Sequence, residues 1–251
     1  MKVLLVGGAG HVGTFITPYL RPHHSLRVLD LRPPRHPDLE YVQGSITNPA
    51  DLERALDGVD TFINMVMKSP QGGSVTDQTL TQIVENYETN TLGLHLLLWT
   101  AQRLGIRCGV HTSTMSVHYR ERPFFGAEEL VPYDTPSVYG LTKGFGEQIC
   151  QYFARWFDMN LLALRITGPR TRQQFLQERS AARPGERHLY WTDEEDLARA
   201  YLAAVEAVQV GHGRFEAVFI AGDEREEEHN LSKAHRLLGW QPQSQRYLET
   251  P

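Results

Sequence analysis

The sequence has few cysteines, no long apolar run and no excess of positive charge. Its two cysteines, Cys108 and Cys150, lie among apolar residues, which predicts reduced packing residues and not a disulfide framework. The apolar run after Lys2 stops at Gly7, far short of a signal-peptide core. No stretch approaches the roughly 18–20 apolar residues that cross a bilayer, and Gly93–Trp99, which comes nearest, lies inside a helical pattern. These absences predict a soluble, cytoplasmic protein without membrane contacts.

The charge balance also excludes classes of partner. The net charge is −5 and the pI is about 6.1, whereas a broad face for nucleic acid is usually basic. His23, His24 and the other histidines lack metal-ligand spacing, so we expect neither nucleic acid nor a metal. With 251 residues, 41% of them hydrophobic, the chain suits one α/β domain or a domain with a small appendage.

Strand-like and helix-like segments alternate as far as residue 166. Predicted strands cover 2–6, 26–30, 39–43, 59–65, 106–114 and 160–166, and predicted helices cover 11–20, 48–56, 80–104 and 136–157. The first strand, KVLLV, is continuously apolar, as in strands buried on both faces. Such alternation predicts right-handed βαβ units around a parallel sheet, and hence an α/β fold.

The pattern loosens after residue 166. A capping box at Thr192–Glu195 predicts a helix to about Val208, with the acidic run at its positive end. A strand over 214–222, a solvated acidic loop over 224–229 and a short helix over 230–240 complete the predicted elements.

A glycine turn joins the first strand to the first helix. In VGGAGHVG, Gly7 allows a tight turn, Gly10 lets the backbone approach a pyrophosphate, and Gly13 lets helix and strand pack closely. The pyrophosphate would lie at the positive end of the helix. Asp30 ends the second strand, where its carboxylate can bind the adenosine ribose. A carboxylate there repels a 2′-phosphate, so NAD is favoured over NADP, although Arg32 lies two residues further on.

A tyrosine and a lysine stand four residues apart in VYGLTKGFGE. On a helix, Tyr139 and Lys143 share one face, and a cation beside a phenol lowers its pKa from about 10. The pair could move protons near neutral pH, or could be a surface pair with no role.

Taken together, these motifs resemble the extended short-chain dehydrogenase/reductases, the group of NAD-dependent sugar epimerases, dehydratases and dehydrogenases. The segments that carry the resemblance are VGGAGHVG, QGSITNP, NTLGLHLLL, VHTSTMSVH, YGLTK, LRITGPR and LLGWQP. The resemblance implies a Rossmann-type doubly wound sheet over 1–166, which binds NAD, and a small substrate-binding portion over 167–251. Within the family, VYGLTKGFGEQICQYFARWF and LGWQP look closest to the uronate dehydrogenases, which oxidise a free sugar acid.

The resemblance also implies roles for individual residues. Tyr139 would be the general acid/base, with Lys143 lowering its pKa and Thr114 orienting the substrate oxygen, while Ser113 could share or take the role of Thr114. Residues implied to contact the cofactor are Gly7, Gly10, His11, Val12, Gly13, Asp30, Leu31, Ser45, Ile46, Met65, Asn90, Tyr139, Lys143 and Ile166.

The sequence departs from the family pattern at three places. Ser45 stands where the family usually has an acid, so any adenine contact uses backbone or the serine hydroxyl. Met65 and Met67 replace small alanines after the fourth strand, and would either reshape the nicotinamide pocket or simply pack. The portion after residue 166 is short, which favours a small free substrate over a nucleotide-linked sugar.

Arginines cluster between residues 170 and 187, where the family places substrate-binding loops: Arg170, Arg172, Arg179, Arg183 and Arg187. Arginine forms bidentate pairs with carboxylates. Arg187, nine residues before Asp196, resembles the carboxylate-binding arginine of the uronate dehydrogenases and is predicted to bind the substrate with Ser113 and Thr114. The alternative is that these arginines are solvated loop charges.

The predicted activity is NAD-dependent hydride transfer from a hydroxyl of a small, anionic sugar-type substrate. Two alternatives remain open: an epimerase or dehydratase acting on a nucleotide sugar, and a non-catalytic NAD-binding sensor. Fold alone does not decide among them. By resemblance, the two long helices over 80–104 and 136–157 could form a homodimer.

Overall fold

The computed structural model describes residues 1–68, 76–181, 190–212 and 214–244. The strands are β1 Lys2–Val6, β2 Ser25–Asp30, β3 Glu40–Gln43, β4 Thr61–Asn64, β5 Cys108–Thr114, β6 Asn160–Ile166, β7 Pro169–Arg170, β8 Thr192–Asp193 and β9 Phe215–Ile220. The helices are α1 His11–Leu20, α2 Pro49–Leu56, α3 Leu80–Asn86, α4 Leu94–Arg103, α5 Val138–Trp156, α6 Arg172–Ala181, α7 Glu194–Val210 and α8 Ser232–Leu238.

The central sheet has the order β3-β2-β1-β4-β5-β6-β9, and neighbouring strands are parallel throughout. This order, with β1 at the point where the chain reverses direction across the sheet, is that of a doubly wound Rossmann-type fold, so the predicted fold class is confirmed. Since all strands run the same way, their carboxyl ends share one edge, and a ligand crevice is expected there.

Two apolar cores cover the two faces of the sheet. One contains Leu5 with Ile16 of α1 and Leu197 of α7. The other contains Leu4 with residues of α2, α4 and α5, such as Leu97. Adjacent strand residues therefore point to opposite cores, which explains why β1 is apolar at consecutive positions. Among the described residues, none of the helices combines the length and apolar character that a membrane span requires.

The helix predicted over 80–104 has an irregular centre. Thr79 caps α3 through a capping box, and Tyr87–Gly93 then form a π-helical turn before α4 continues. Asn90 lies on this turn. Hydrophobic periodicity predicted the length of the helical segment, but not a change of hydrogen-bonding pattern inside it, which depends on tertiary contacts.

Two predictions for the later part of the chain are corrected, and one feature there was not predicted. The cap of α7 is Asp193, whose side chain accepts from the N–H of Glu195, while Thr192 belongs to β8. The β7–β8 pair was not predicted. The loop over 224–229 is not simply solvated, because His229 is buried and stacks on Phe125.

The acidic run at the start of α7 does more than complement the helix dipole. Asp196 is buried and accepts from the backbone N–H groups of Gln243 and Ser244, at 3.0 Å each for one of its oxygens. Trp240 donates to the carbonyl of Asp196 at 2.8 Å. The C-terminal segment is thereby fixed to α7. The division of the chain into two portions at residue 166 stays a prediction. Strand β9 comes from the later portion of the chain but belongs to the central sheet.

Candidate active site

Most of the predicted site residues meet at the carboxyl edge of the sheet. They are Gly7, Gly10, His11, Val12 and Gly13 after β1, Asp30 and Leu31 at β2, Ser45 and Ile46 after β3, Met65 after β4, Ser113 and Thr114 at β5, and Ile166 at β6. Tyr139 and Lys143 lie on α5, and Asn90 lies on the π-helical turn. Arg187 lies outside the described residues.

The glycine turn leaves no room for side chains. Gly7 has φ +82°, and a Cβ there would lie 2.9 Å from Val66 Cγ2. At Gly13 a Cβ would lie 2.3 Å from the carbonyl oxygen of Gly8. Helix α1 begins at His11, and the N–H groups of its first turn have no acceptor within the helix. Such a cradle fits the pyrophosphate of a dinucleotide.

Asp30, at the end of β2, is hydrogen-bonded to this turn. One carboxylate oxygen accepts from the N–H of Ala9 at 3.0 Å, and the other accepts from the N–H of Arg32 at 3.1 Å. An ionised carboxylate has about four acceptor positions, so capacity remains for ribose hydroxyls. Ser45, at the predicted adenine position, pairs its hydroxyl with Thr47 at 2.8 Å. Together the turn and the carboxylate suit NAD.

Asn90 joins three parts of the site. Its side chain accepts from the N–H of Lys68 at 2.8 Å and donates to the carbonyl of Lys68 at 3.0 Å. It also lies 3.0 Å from the hydroxyl of Thr142 on α5. Asn90 is buried, so it fixes the chain that follows β4 against α5. Of the two methionines on that chain, Met65 packs in the core, while Met67 meets Tyr139.

Tyr139 lies in the first turn of α5, and its hydroxyl lies beside two neighbours. It donates to Met67 Sδ at 3.4 Å, and the side chain of Thr114 lies close enough to lower its pKa. Burial raises the pKa of Tyr139 to about 12, and Thr114 opposes that rise. Burial is the largest influence on the pKa of Tyr139 in this structure, and Lys143 Nζ faces another group, so the lowering of this pKa by Lys143 stays a prediction.

That group is His111 on β5. Lys143 is 1% exposed, and its Nζ lies 3.3 Å from Nε2 of His111. Burial lowers the pKa of Lys143 to about 8. His111 was missed in the sequence, although a histidine inside a strand buried on both faces is itself a signal of a specific partner.

The two adjacent hydroxyls at the end of β5 point to different places. Ser113 donates to Glu147 at 2.5 Å, and Glu147 is bound by Arg165 at 2.8 Å in a pair that is almost fully buried. Thr114 instead borders a cavity and lies beside Tyr139. Alternation along a strand accounts for the opposite directions.

The cavity has a volume of about 430 Å³, within the range of roughly 300–1,000 Å³ typical of small-molecule sites. Its walls include Thr114, Phe125, Ile166, Gly168, Trp191 and His229. His229 Nδ1 lies 3.2 Å from the carboxylate of Asp223, which orients the imidazole. Phe125, Trp191 and His229 were not predicted, because they come from separate loops that only the fold brings together.

The described arginines of the 170–187 cluster bind groups of the protein itself. Arg170 pairs with Glu178 at 2.8 Å and lies over the ring of Trp191. Arg172 pairs with two acidic residues of the α7 N-terminus. Arg179 donates to a backbone carbonyl. Arg183 lies, like Arg187, outside the described residues.

Comparisons with known proteins agree with this geometry. A protein-family model described as the NAD dependent epimerase/dehydratase family matches residues 3–219. The "3 beta-hydroxysteroid dehydrogenase/Delta 5-->4-isomerase" of Mycobacterium tuberculosis is 36% identical over 138 residues, which are 53% of this chain but 36% of that protein. A uronate dehydrogenase of Pseudomonas syringae pv. tomato is 26% identical over 221 residues, 84% of this chain and 72% of that protein.

Among solved structures, a short-chain dehydrogenase/reductase superfamily protein from Agrobacterium tumefaciens with bound NAD superposes with a TM-score of 0.81 at 20% identity. The superposition covers 99% of this chain and 95% of that one. At this identity the likeness concerns the fold, whereas the family match covers most of the chain. The chain, with its glycine cradle, Asp30 and Rossmann-type sheet, thus belongs to the NAD-dependent epimerase/dehydratase family.

Proposed function

We propose that this protein oxidises a hydroxyl group of a small sugar-type substrate, with NAD as the acceptor. The observation that carries the proposal is that the Thr114 side chain, which lines the cavity, lies close enough to the hydroxyl of Tyr139 to influence its pKa. A substrate oxygen placed against both hydroxyls would have a proton acceptor and an orienting donor within one site. Asp30 and the glycine turn hold the dinucleotide at the same edge of the sheet.

In the proposed reaction, Thr114 orients the substrate oxygen and Tyr139 Oη, as the phenolate, takes the hydroxyl proton. NAD, when bound, accepts the hydride and brings the positive charge of its nicotinamide ring. A phenol whose pKa is raised to about 12 needs positive charge nearby before it ionises near neutral pH. Lys143, in its ammonium form, supplies such a charge from the same helix face.

The substrate class rests on the cavity and on the relatives. A volume of about 430 Å³ suits a small molecule, and aromatic rings such as Phe125 and Trp191 offer faces for the apolar side of a sugar. The uronate dehydrogenase likeness favours a free sugar acid. An acid would need a cation, and Arg187 is the residue that we propose for it.

The test is formation of NADH, followed by its absorbance, with purified protein, NAD and a panel of free sugars, sugar acids, nucleotide sugars and a 3β-hydroxysteroid. Turnover confined to small sugars or their acids is expected. NADH formation with the steroid alone would contradict the substrate class. Absence of NADH formation together with conversion of a nucleotide sugar would replace the proposal with an epimerase or dehydratase.

Tyr139→Phe provides the matched control for that assay. The variant loses the hydroxyl but keeps the ring, so turnover should fall by at least about 100-fold, the usual scale for loss of a general acid/base. NAD affinity, measured by titration calorimetry, should change little. Full activity of Tyr139→Phe would exclude the proposed mechanism.

A further inference from the structure

Three buried side chains form a hydrogen-bonded row from β4 through β5 to α5. Asn64 Nδ2 lies 3.2 Å from His111 Nδ1, and His111 Nε2 lies 3.3 Å from Lys143 Nζ. The three residues are 1%, 2% and 1% exposed, respectively. Helix α5 approaches β5 closely here, since a Cβ at Gly146 would lie 3.2 Å from His111 Nε2. The proposed function uses Lys143 but gives no role to the other two.

The side chain of Asn64 decides which atoms donate and which accept in this row of hydrogen bonds. The backbone N–H of Val66 lies 3.1 Å from Asn64 Oδ1. A backbone N–H only donates, so it fixes the amide with oxygen towards Val66 and nitrogen towards His111. Because the amide nitrogen also only donates, His111 Nδ1 must accept with its lone pair.

The same reasoning then applies at the other ring nitrogen. Burial by itself lowers the pKa of His111 well below 6.5, so the imidazole is neutral. A neutral imidazole that accepts at Nδ1 carries its proton on Nε2. His111 Nε2–H therefore points at Lys143 Nζ, and this hydrogen bond forms when Nζ can accept. An ammonium group has no lone pair, whereas an amine has one.

The surroundings of Lys143 do not reverse this assignment. In the ranges that the structure describes, His111 is the hydrogen-bond partner found for Nζ. Glu147 and Cys150 face Lys143 from its own helix and favour its charged form. Glu147 is already bound by Arg165 of β6, however. Burial outweighs both and lowers the pKa of Lys143 to about 8.

We propose that His111 is a positioning residue that donates a hydrogen bond from Nε2 to Lys143 and so favours the uncharged amine form of this lysine in the cofactor-free protein. The inference deepens the proposed function and rests on it, because Lys143 acts there as an ammonium. Its consequence is that assembly of the working site takes up a proton at Lys143 Nζ in those molecules in which this lysine is the amine.

The sequence makes a direct test practical, since its lysines are Lys2, Lys68, Lys143 and Lys233. Protein labelled with ¹³C at lysine Cε gives one signal for each, and the signal absent from Lys143→Met identifies Lys143. Its titration is followed by NMR in cofactor-free protein. We expect Lys143 to lose its proton at a clearly lower pH than the other lysines.

His111→Phe then tests the direction of the hydrogen bond. Loss of a donor to Nζ removes support for the amine, so the acid dissociation constant of Lys143 should fall by about tenfold, one pH unit on the titration midpoint. If Lys143 Nζ instead donated to His111, loss of this acceptor would lower the titration midpoint of Lys143. An unchanged or lowered midpoint overturns the proposal. His95→Phe, at an exposed histidine on α4, is the matched control and should leave the midpoint in place.

A second measurement needs no variant at His111. The ¹⁵N chemical shifts of the histidine rings in the unmodified protein distinguish the two tautomers, and the ring nearest Lys143 should have its proton on Nε2. A proton on Nδ1 overturns the proposal even if His111→Phe does not fold. Neither measurement uses substrate or NAD, so their failure is separate from failure of the proposed function, which the NADH assay tests.

Discussion

Among single residues, the adjacent hydroxyls of Ser113 and Thr114 are distinguished by what they touch. The Ser113 hydroxyl is fully occupied in a buried group with Glu147 and Arg165, so a substrate oxygen would have to displace it. The Thr114 hydroxyl lies beside Tyr139 and borders the cavity. The motif HTST predicts a hydroxyl at the end of β5, but it does not indicate which side chain faces the substrate.

Thr114→Val tests the assignment of the orienting hydroxyl. The substitution keeps the shape and removes the O–H, so kcat/KM should fall by about 100-fold, as for loss of one oriented donor. Ser113→Ala is the control at the neighbouring position. It should cost stability, about 1–2 kcal/mol for a lost buried hydrogen bond, and leave kcat/KM within a few-fold. The opposite ranking of the two variants in the NADH assay would transfer the role to Ser113.

His118 gives the protein a pH-dependent stability. Its Nδ1 lies 2.7 Å from the carbonyl of Pro132, and its Nε2 lies 3.1 Å from Arg165 Nη1. Burial lowers the pKa of His118 to about 4. Between pH 6.5 and 4, His118 is therefore protonated in the unfolded chain but neutral in the folded protein. The free energy of unfolding consequently decreases as the pH falls towards 4.

The expected loss from His118 is at most about 1.4 kcal/mol per pH unit in that window. Denaturant unfolding at several pH values between 7 and 4.5 measures it. In His118→Gln the unfolding free energy should fall less steeply with decreasing pH, although its value at pH 7 is lower. Parallel curves for the two proteins would show that His118 does not contribute to the slope.

At the level of secondary-structure elements, the π-helical turn Tyr87–Gly93 positions the site. It places Asn90 so that its side chain binds both polar groups of the Lys68 peptide. A regular helix would present this position differently, since a π-turn closes with one additional residue. The chain after β4, which carries Met67 to Tyr139, is thus held by one side chain of a neighbouring element.

Asn90→Ala should loosen that chain. Loss of several buried hydrogen bonds is expected to cost about 1–3 kcal/mol of unfolding free energy, and NAD affinity should fall by severalfold. Thr91→Ala, on the same turn but bonded to Tyr87, is the control. Calorimetric titration with NAD together with thermal unfolding measures both effects. Equal NAD affinities for the two variants would show that Asn90 is not needed to hold the site.

On the scale of the whole molecule, an exposed apolar surface joins α4 and α5. His95 stacks near Tyr152, while Trp99 and Trp156 continue the same faces one turn further along each helix. Tyr152 is 45% and Trp156 is 64% exposed. Contiguous exposed aromatic side chains commonly mark a contact with another chain. This surface coincides with the two long helices for which the sequence predicted a homodimer.

A double variant, Tyr152→Lys with Trp156→Glu, tests the predicted dimer. Sedimentation equilibrium should give a dimer for the unmodified chain and a monomer for the variant, because charges replace the apolar contact. Leu130→Lys is the control, since Leu130 is 81% exposed on a different segment. A monomeric unmodified chain at high concentration would contradict the prediction.

The sequence by itself determined the order of strands and helices as far as residue 166, the glycine turn with Asp30, and the family. These features are local: hydrophobic period, turn chemistry and fixed spacings specify them within a few residues of the chain. For the same reason the helix predicted over 48–56 is found as α2, which begins at Pro49 and is capped by Asn48, whose side chain accepts from the N–H of Ala50.

The tertiary structure decided what depends on residues far apart in the chain. It paired Ser113 with Glu147, His111 with Lys143, and the loops of Phe125 and His229 around the cavity. It also raised the pKa of the Tyr139 phenol through burial. Burial and hydrogen-bond direction arise only when β5 and α5 are packed together, so no spacing in the sequence could specify the protonation state of the site.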